Sequence, residues 1–176
     1  MKKIFIGTFL LLSIFLLSCQ STPDFKTYEF FAMDTYVSLS ADNSDGFEST
    51  QQYVKELENK LSRTKEQSEI FKLSEDGQTV LSKDTAYVLQ KALEVSENTD
   101  GAFDVCLGQI TDLWDITSGK NTVPDGESIE IAKNKSGHEK LVLDGLFASV
   151  NDGAKVDLGG VAKGYCAEKC VQILKE

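Results

Sequence analysis

The stretch Lys155-Val156-Asp157-Leu158-Gly159-Gly160-Val161-Ala162-Lys163-Gly164-Tyr165 holds residue types that handle phosphate. A strand runs into a glycine pair and then a helix start. Glycine lets a ligand approach the backbone closely, and the free N–H groups and dipole of a helix start favour an anion. Lys163 adds a positive charge, and Asp157 can hold a hydroxyl or help with a cation. The same residues also make a plain strand-to-helix turn with a solvated lysine, and at this point both readings stand. The stretch is not a Walker A loop, since no Gly-Lys-Ser/Thr follows the glycines, nor is it the G-x-G-x-x-G dinucleotide fingerprint. Two other stretches are open in the same way. Asp100-Gly101-Ala102-Phe103-Asp104 is a ligand loop or a helix stop followed by the next cap. Ala32-Met33-Asp34-Thr35 is a ligand edge or a simple strand entry.

Other chemistry is thin. One histidine, His138, builds neither a multi-histidine metal site nor a Ser–His–Asp triad, and its Gly/Lys-rich loop places it at the surface. Cys166 and Cys170 are half a structural zinc site with no second pair, so they and Cys106 read as core packing. Four cysteines in 176 residues do not make a disulfide scaffold. Eighteen basic residues against 28 acidic ones give a net charge of −10, which argues against a nucleic-acid binder. The apolar share, 41% with 26% charged, is enough for one folded domain.

The elements that must position these residues alternate irregularly. Tyr28, Phe30 and Phe31 and then Thr35–Ser40 read as strands around a break at Ala32-Met33-Asp34. Phe47, Val54, Leu57 and Leu61 fall at helical spacing over 47–61. Ile70–Leu73 begins a short helical turn ended by Glu75-Asp76-Gly77. Asp84 reads as the cap of a helix over 85–98 with Val88, Leu89, Ala92 and Val95 inward. Residues 105–114 read as a shorter helix with Leu107, Ile110 and Leu113 on one side, and 128–134 as another. Strands are expected at 141–145, 148–150 and 155–158, and a last helix over 165–174 with Cys166, Cys170 and Ile173 on one stripe. Helices and antiparallel strands without regular alternation predict an α+β fold.

Residues 1–18 stand apart. Lys2 and Lys3 precede an uncharged, mostly apolar run from Ile4 to Ser18. As a helix it would span roughly 22 Å, short of the bilayer's roughly 30 Å, which suits an export signal. Leu16-Leu17-Ser18-Cys19 resembles the bacterial lipobox, so Cys19 is expected to be acylated. Residues 19–24 then form a tether and 25–176 the domain. Losing Lys2 and Lys3 takes the charge from −10 to −12. The expectation is an exported protein, lipid-anchored at a bacterial membrane.

Four stretches together resemble the ApbE family, the FAD:protein FMN transferases, and follow its order. Met33-Asp34-Thr35 is similar to Met-Gly-Thr. Leu61-Ser62-Arg63 with Ser68-Glu69-Ile70 is similar to "LSR…SEI". Gly101-Ala102-Phe103-Asp104 with Gly108 and Asp112-Leu113-Trp114 is similar to "GAFD…G…DLW". Val156 to Tyr165 resembles "IDLGGIAKGY", the most specific of the four. The resemblance implies an ApbE-like mixture of helices and antiparallel strands. It implies Mg²⁺-dependent transfer of FMN from FAD to a threonine or serine hydroxyl of an acceptor protein, with release of AMP. It makes Met33, Thr64, Ala102, Phe103, Asp104, Asp157 and Lys163 FAD contacts, and the Gly160 carbonyl a Mg²⁺ ligand. Asp34 stands for the usual glycine, Thr64 stands where an aromatic commonly stacks, and Cys106 replaces a residue usually Pro or Thr.

The resemblance covers the first half of the family's domain. The later half, with the remaining Mg²⁺ ligands and a candidate base, has no counterpart up to Glu176. The expectation is therefore an apparently truncated transferase domain, inactive by itself, whose last helix lacks a partner layer for Cys166, Cys170 and Ile173. The alternative is a lipid-anchored FAD-binding protein without transfer activity.

Overall fold

In the computed structural model, which describes residues 24–119 and 122–175, the chain starts with an antiparallel hairpin. Strand β1 (Lys26–Ala32) pairs with β2 (Thr35–Ala41) from Lys26 opposite Ala41 to Ala32 opposite Thr35. This register leaves Met33 and Asp34 alone in the turn, both at positive φ (52° and 56°). That is the type I′ geometry, whose twist matches that of the strands it joins. The break expected at this point is thus a hairpin tip. Phe30, Ala32 and Leu39 point into the core, while Phe31 and Tyr36 are exposed.

Helix α1 (Phe47–Leu61) has the expected bounds and buries Val54, Leu57 and Leu61. The loop after it is tied by its serines. Ser62 Oγ accepts the N–H groups of Thr64 and Lys65 at 3.2 and 3.1 Å. Ser68 Oγ donates to the Ser62 carbonyl and accepts the Phe71 N–H at 2.9 Å, capping α2 (Glu69–Asp76). Glu69 then accepts the Ser82 N–H at 2.8 Å. Most of the "LSR…SEI" resemblance is therefore scaffold.

Strand β3 (Gln78–Val80) was not legible in the sequence. Helix α3 runs Lys83–Asn98 with Ser82, not Asp84, at its N-cap. Asp84 is pulled away because its carboxylate takes the Tyr165 O–H at 2.8 Å and lies 3.3 Å from Lys60 Nζ. Val95 is exposed and Ser96 is buried in its place. Ser96 continues the i, i+4 step from Ala92, and its hydroxyl is satisfied by the Ala92 carbonyl at 3.0 Å.

Helix α4 is Gly108–Trp114, three residues shorter than expected, and Leu107 is exposed. Val105 and Cys106 are buried but belong to an extended lead-in. That lead-in pairs with 155–157 through Asp157 N–H to Val105 O and Gly108 N–H to Lys155 O, both 2.9 Å. The strand expected at 155–158 is therefore an extended segment outside the sheets, and its Val156 N–H goes to Ser74 Oγ at 3.1 Å. The approach is close enough that a Cβ on Gly108 would lie 2.8 Å from the Lys155 carbonyl oxygen.

Asp125 caps α5 (Gly126–Lys135) by accepting the Ser128 N–H at 2.9 Å. Strands β4 (Leu141–Asp144) and β5 (Phe147–Val150) follow, and β5 is central in an antiparallel sheet ordered β3-β5-β4. Helix α6 (Ala162–Ile173) starts three residues earlier than expected. Cys166 and Cys170 are buried, and α1 packs against this helix. The two cysteines therefore have a partner layer within this chain, whereas Ile173 is only half-buried. The architecture is α+β, as the sequence indicated. No helix among the described residues is long and apolar enough to cross a membrane. The leader, Cys19 and all of the tether but Asp24 lie outside the described residues.

Candidate functional site

A cleft of about 380 Å³ opens where the β1–β2 tip, the end of α1 with its following loop, and the start of α6 meet. Met33, Thr64, Asp157 and Lys163 line it, joined by Arg63, Thr111 and Glu58. Residues 130 apart in sequence are thus brought to one surface, because the hairpin tip and the α6 turn are both held against the end of α1.

Asp157 is the organiser of this cleft. Its Oδ1 accepts the Gly159 N–H at 2.8 Å, which shapes the turn into α6. Its Oδ2 accepts the Thr111 hydroxyl at 2.8 Å and lies 3.5 Å from Arg63 Nε. Arg63 also pairs with Asp112. Lys155 lies 3.2 Å from Asp112 and 2.9 Å from Glu75, and its bond to Glu75 holds its ammonium above the ordinary value, with Asp112 adding to this. These charges close among themselves, and both oxygens of Asp157 are already engaged.

Lys163 differs. It is exposed and has no ion-pair partner among the described residues. It stands in the first turn of α6, where no side chain caps the helix. The backbone N–H groups of Lys163 and Gly164 find no acceptor among the described residues. Two unpaired N–H donors and one unpaired ammonium at a helix start are donors of the kind an anion accepts.

At the end of α1, Glu58 faces the Met33 N–H of the hairpin tip and pairs with Lys65. Burial works to raise its pKa, but Lys65, 2.8 Å away, and the Met33 N–H outweigh it, and the carboxyl sits below its ordinary value.

The remaining predicted residues divide. The Phe103 ring packs on Gly160, where an added Cβ would stand 2.9 Å from Cε2. Gly160 is exposed, and its carbonyl accepts no hydrogen bond among the described residues, so its oxygen is available to a hard cation. Neither Phe103 and Gly160 nor Ala102 and Asp104 line the cleft itself. Asp104 is spent on the fold: it accepts the Cys106 N–H at 2.7 Å and the His138 N–H at 3.1 Å. His138 is consequently tied down, its Nδ1 3.9 Å from Asp104, rather than free at the surface. Burial, with Asp104 nearby, pushes the Cys106 thiol up to about 12, so it is no nucleophile at neutral pH.

Arg63, Thr111 and Glu58 were not singled out in the sequence as site residues. Arg63 and Asp112 stood inside the quoted motifs, which was the available signal. Thr111 and Glu58 carried none, because their roles depend on partners 46 residues away and on the hairpin tip.

The α+β fold thus gathers a glycine turn, an uncapped helix start and a lysine at one cleft. The chain belongs to the ApbE family, whose profile matches residues 33–176. The FAD:protein FMN transferase of Klebsiella pneumoniae is 26% identical over 131 residues, covering 71% of this chain and 42% of that protein. The protein of the same name from Treponema pallidum is 33% identical over 98 residues, covering 49% of this chain and 26% of its own length. Among solved structures, the ApbE protein of Thermotoga maritima superposes with a TM-score of 0.80 at 28% identity, covering 86% of this chain and 52% of that one. The flavin transferase ApbE of Vibrio cholerae shares the fold, with a TM-score of 0.75 at 20% identity. The chain thus spans about half the length of these structures and 42–43% of the first two curated relatives.

Proposed function

We propose that this chain binds FAD through its pyrophosphate and serves the transfer of FMN from FAD to a threonine or serine hydroxyl of an acceptor protein, with Mg²⁺ and release of AMP. The observation that carries the binding step is the unpaired Lys163 ammonium beside the free N–H groups of Lys163 and Gly164. The names of the curated relatives support flavin as the cargo. In the transfer, the acceptor oxygen bonds to the FMN-side phosphorus, the pyrophosphate P–O bond breaks, AMP leaves with the electron pair, and the hydroxyl proton passes to a base.

The chain's own residues have distinct parts in this. Lys163 and the helix start hold the anion. Asp157 holds the Gly159 turn and, through Thr111 and Arg63, the wall of the cleft. Met33 and Thr64 border the space left for the nucleotide, and Phe103 supports Gly160. The exposed Gly160 carbonyl suits one position on Mg²⁺, which when bound neutralises pyrophosphate charge. Among the described residues no group of three His, Cys, Asp or Glu gathers for a metal. The engagement of both Asp157 oxygens favours a division of labour in which this stretch binds and orients FAD. By its leader and Leu16-Leu17-Ser18-Cys19 the protein acts outside the cytoplasm, anchored through acylated Cys19.

Flavin fluorescence titration tests the binding step. Lys163→Ala should weaken FAD binding about ten- to a hundredfold, the worth of one charge-assisted hydrogen bond. Equal titrations of parent and variant would remove the site. Mass spectrometry of an acceptor peptide incubated with FAD and Mg²⁺ tests transfer: an FMN-sized increase on its threonine from this chain alone would show that the transfer apparatus is already here.

A further inference from the structure

A second groove, also about 380 Å³, runs between β2 and α6. Its helix wall carries Cys166 and Cys170 beside apolar Val171 and Leu174. Met33 and Lys163 border both this groove and the first cleft. Cys166 and Cys170 are each 5% exposed, and both line the groove. Cys106, by contrast, is wholly buried and lines neither cavity. The two groove thiols stand one helical turn apart and share a hydrogen bond, Cys166 donating to Cys170.

Both are free thiols, and an intact helix keeps them so. Cβ atoms at i and i+4 lie about 5–6 Å apart, whereas a disulfide needs about 3.5–4.5 Å. A single metal atom between the sulfurs removes this mismatch, because two metal–thiolate bonds of about 2.3 Å each reach across it. No third His, Cys, Asp or Glu joins the pair among the described residues. The set is therefore short for Zn²⁺, which takes four ligands, and brings no carboxylate to a hard cation. Thiolate and thioether donors select Cu(I), and Met33 brings a thioether to the same groove.

We propose that Cys166 and Cys170 form a site for a soft monovalent cation, Cu(I), held between their two sulfurs in the groove between β2 and α6. On binding, each thiol releases its proton to solvent, a sulfur–copper bond forms at each, and no electron is transferred. Two thiolates on one Cu(I) leave a net negative charge, and Lys163 on the same groove offers the opposite sign. The inference rests on the sulfurs and the groove, not on the flavin reading.

The test uses the 176-residue chain carrying Cys19→Ser, without oxygen and without flavin, with Cu(I) presented as its coloured bicinchoninate complex. The chain should strip one Cu(I) per molecule, bleach the complex and gain ultraviolet thiolate-to-metal absorption. Cys166→Ser and Cys170→Ser should each lower the affinity about tenfold or more, since loss of even a ligand's supporting partner costs that much. Cys106→Ser should leave it unchanged. Alkylation of the parent, mapped by peptide mass spectrometry, reads the site without a substitution in the groove: Cu(I) should shield Cys166 and Cys170 and leave Cys106 as it was. A parent that takes up no Cu(I) overturns the proposal. So does uptake that survives Cys166→Ser and Cys170→Ser combined, or shielding that falls on other residues. Equally tight retention of Zn²⁺ by the parent overturns the choice of ion.

Discussion

The Thr111 hydroxyl donates to Asp157 Oδ2 at 2.8 Å across 46 residues of sequence. This bond joins α4 to the turn that presents the start of α6, and with the Gly159 N–H and Arg63 it engages both oxygens of the carboxylate. Asp157 is therefore a positioning residue before it is a ligand. Asp157→Ala should lower unfolding stability by about 1–3 kcal/mol, since it strands three donors at a part-buried site, and Thr111→Val by about 1 kcal/mol. Denaturant midpoints at constant slope measure both. An Asp157→Ala protein as stable as the parent would make the carboxylate a free ligand instead.

The hairpin tip carries a second stability prediction. Asp34 sits at φ 56° in the second turn position, where glycine is the preferred residue. The motif that Met33-Asp34-Thr35 resembles has that glycine. Asp34→Gly should raise stability by about 0.5–1 kcal/mol, because a side chain in left-handed geometry is strained. A drop in stability on thermal melting would mean that the Asp34 side chain holds the tip in a way the backbone does not reveal.

The sequence carried the elements better than their partners. Helix α1 was legible to the residue, because Phe47, Val54, Leu57 and Leu61 repeat at helical spacing. The segment 155–158 looked like a strand because Val156 and Leu158 alternate with polar residues. Its N–H groups go to Val105 and Ser74 rather than to a sheet, and no local pattern encodes that. Asp84 had the type of a cap, but a hydroxyl from Tyr165, 81 residues on, claims it. At the cleft, Lys163 and the glycine turn were legible because they belong to one local strand-turn-helix stretch. Asp104 lies outside the cleft, and no local pattern could tell this, because a carboxylate in a loop reads the same whether it meets a ligand or the N–H of Cys106 and His138.

Acid should loosen the fold through two carboxylates. Burial would raise the pKa of each, but hydrogen bonds from Lys65 and the Met33 N–H lower Glu58, and those from Tyr165 and Lys60 lower Asp84. Their folded values lie below the ordinary 4.5 and 3.8, so the unfolded chain takes up these protons first. The stabilisation is present above those values and is lost as pH falls through the folded ones. Stability measured from pH 6 downward should decline below about pH 4.5, and Glu58→Gln should flatten part of the decline. An unchanged slope in that variant would show that Glu58 does not couple the hairpin tip to α1.

Membrane attachment is expected to depend on Cys19. A chain held by acyl groups gains about 0.8 kcal/mol per buried methylene, and nothing in the described helices offers an alternative span. Cys19→Ser should release the protein from the membrane fraction or block its processing. A serine variant that fractionates with membranes at its mature size would place the anchor elsewhere.

Two glycine substitutions should move stability in opposite directions and so test the packing around the cleft. At Gly108 an added Cβ would meet Lys155 Cβ at 2.7 Å and the Lys155 carbonyl oxygen at 2.8 Å. Backbone cannot swing aside as a side-chain end can. Gly108→Ala should therefore force the 105–108 and 155–157 segments apart, at a cost of about 1–3 kcal/mol, and disturb the Asp157 turn two residues on. At Gly164, in the first turn of α6, nothing lies within 4 Å of the added Cβ. Alanine loses less backbone entropy there, so Gly164→Ala should stabilise the chain by about 0.5–1 kcal/mol. Paired denaturation curves give the two signs directly. A tolerated Gly108→Ala would mean that the extended segment leading into the glycine turn is not clamped by α4, and the positioning role assigned to Thr111 would fall with it.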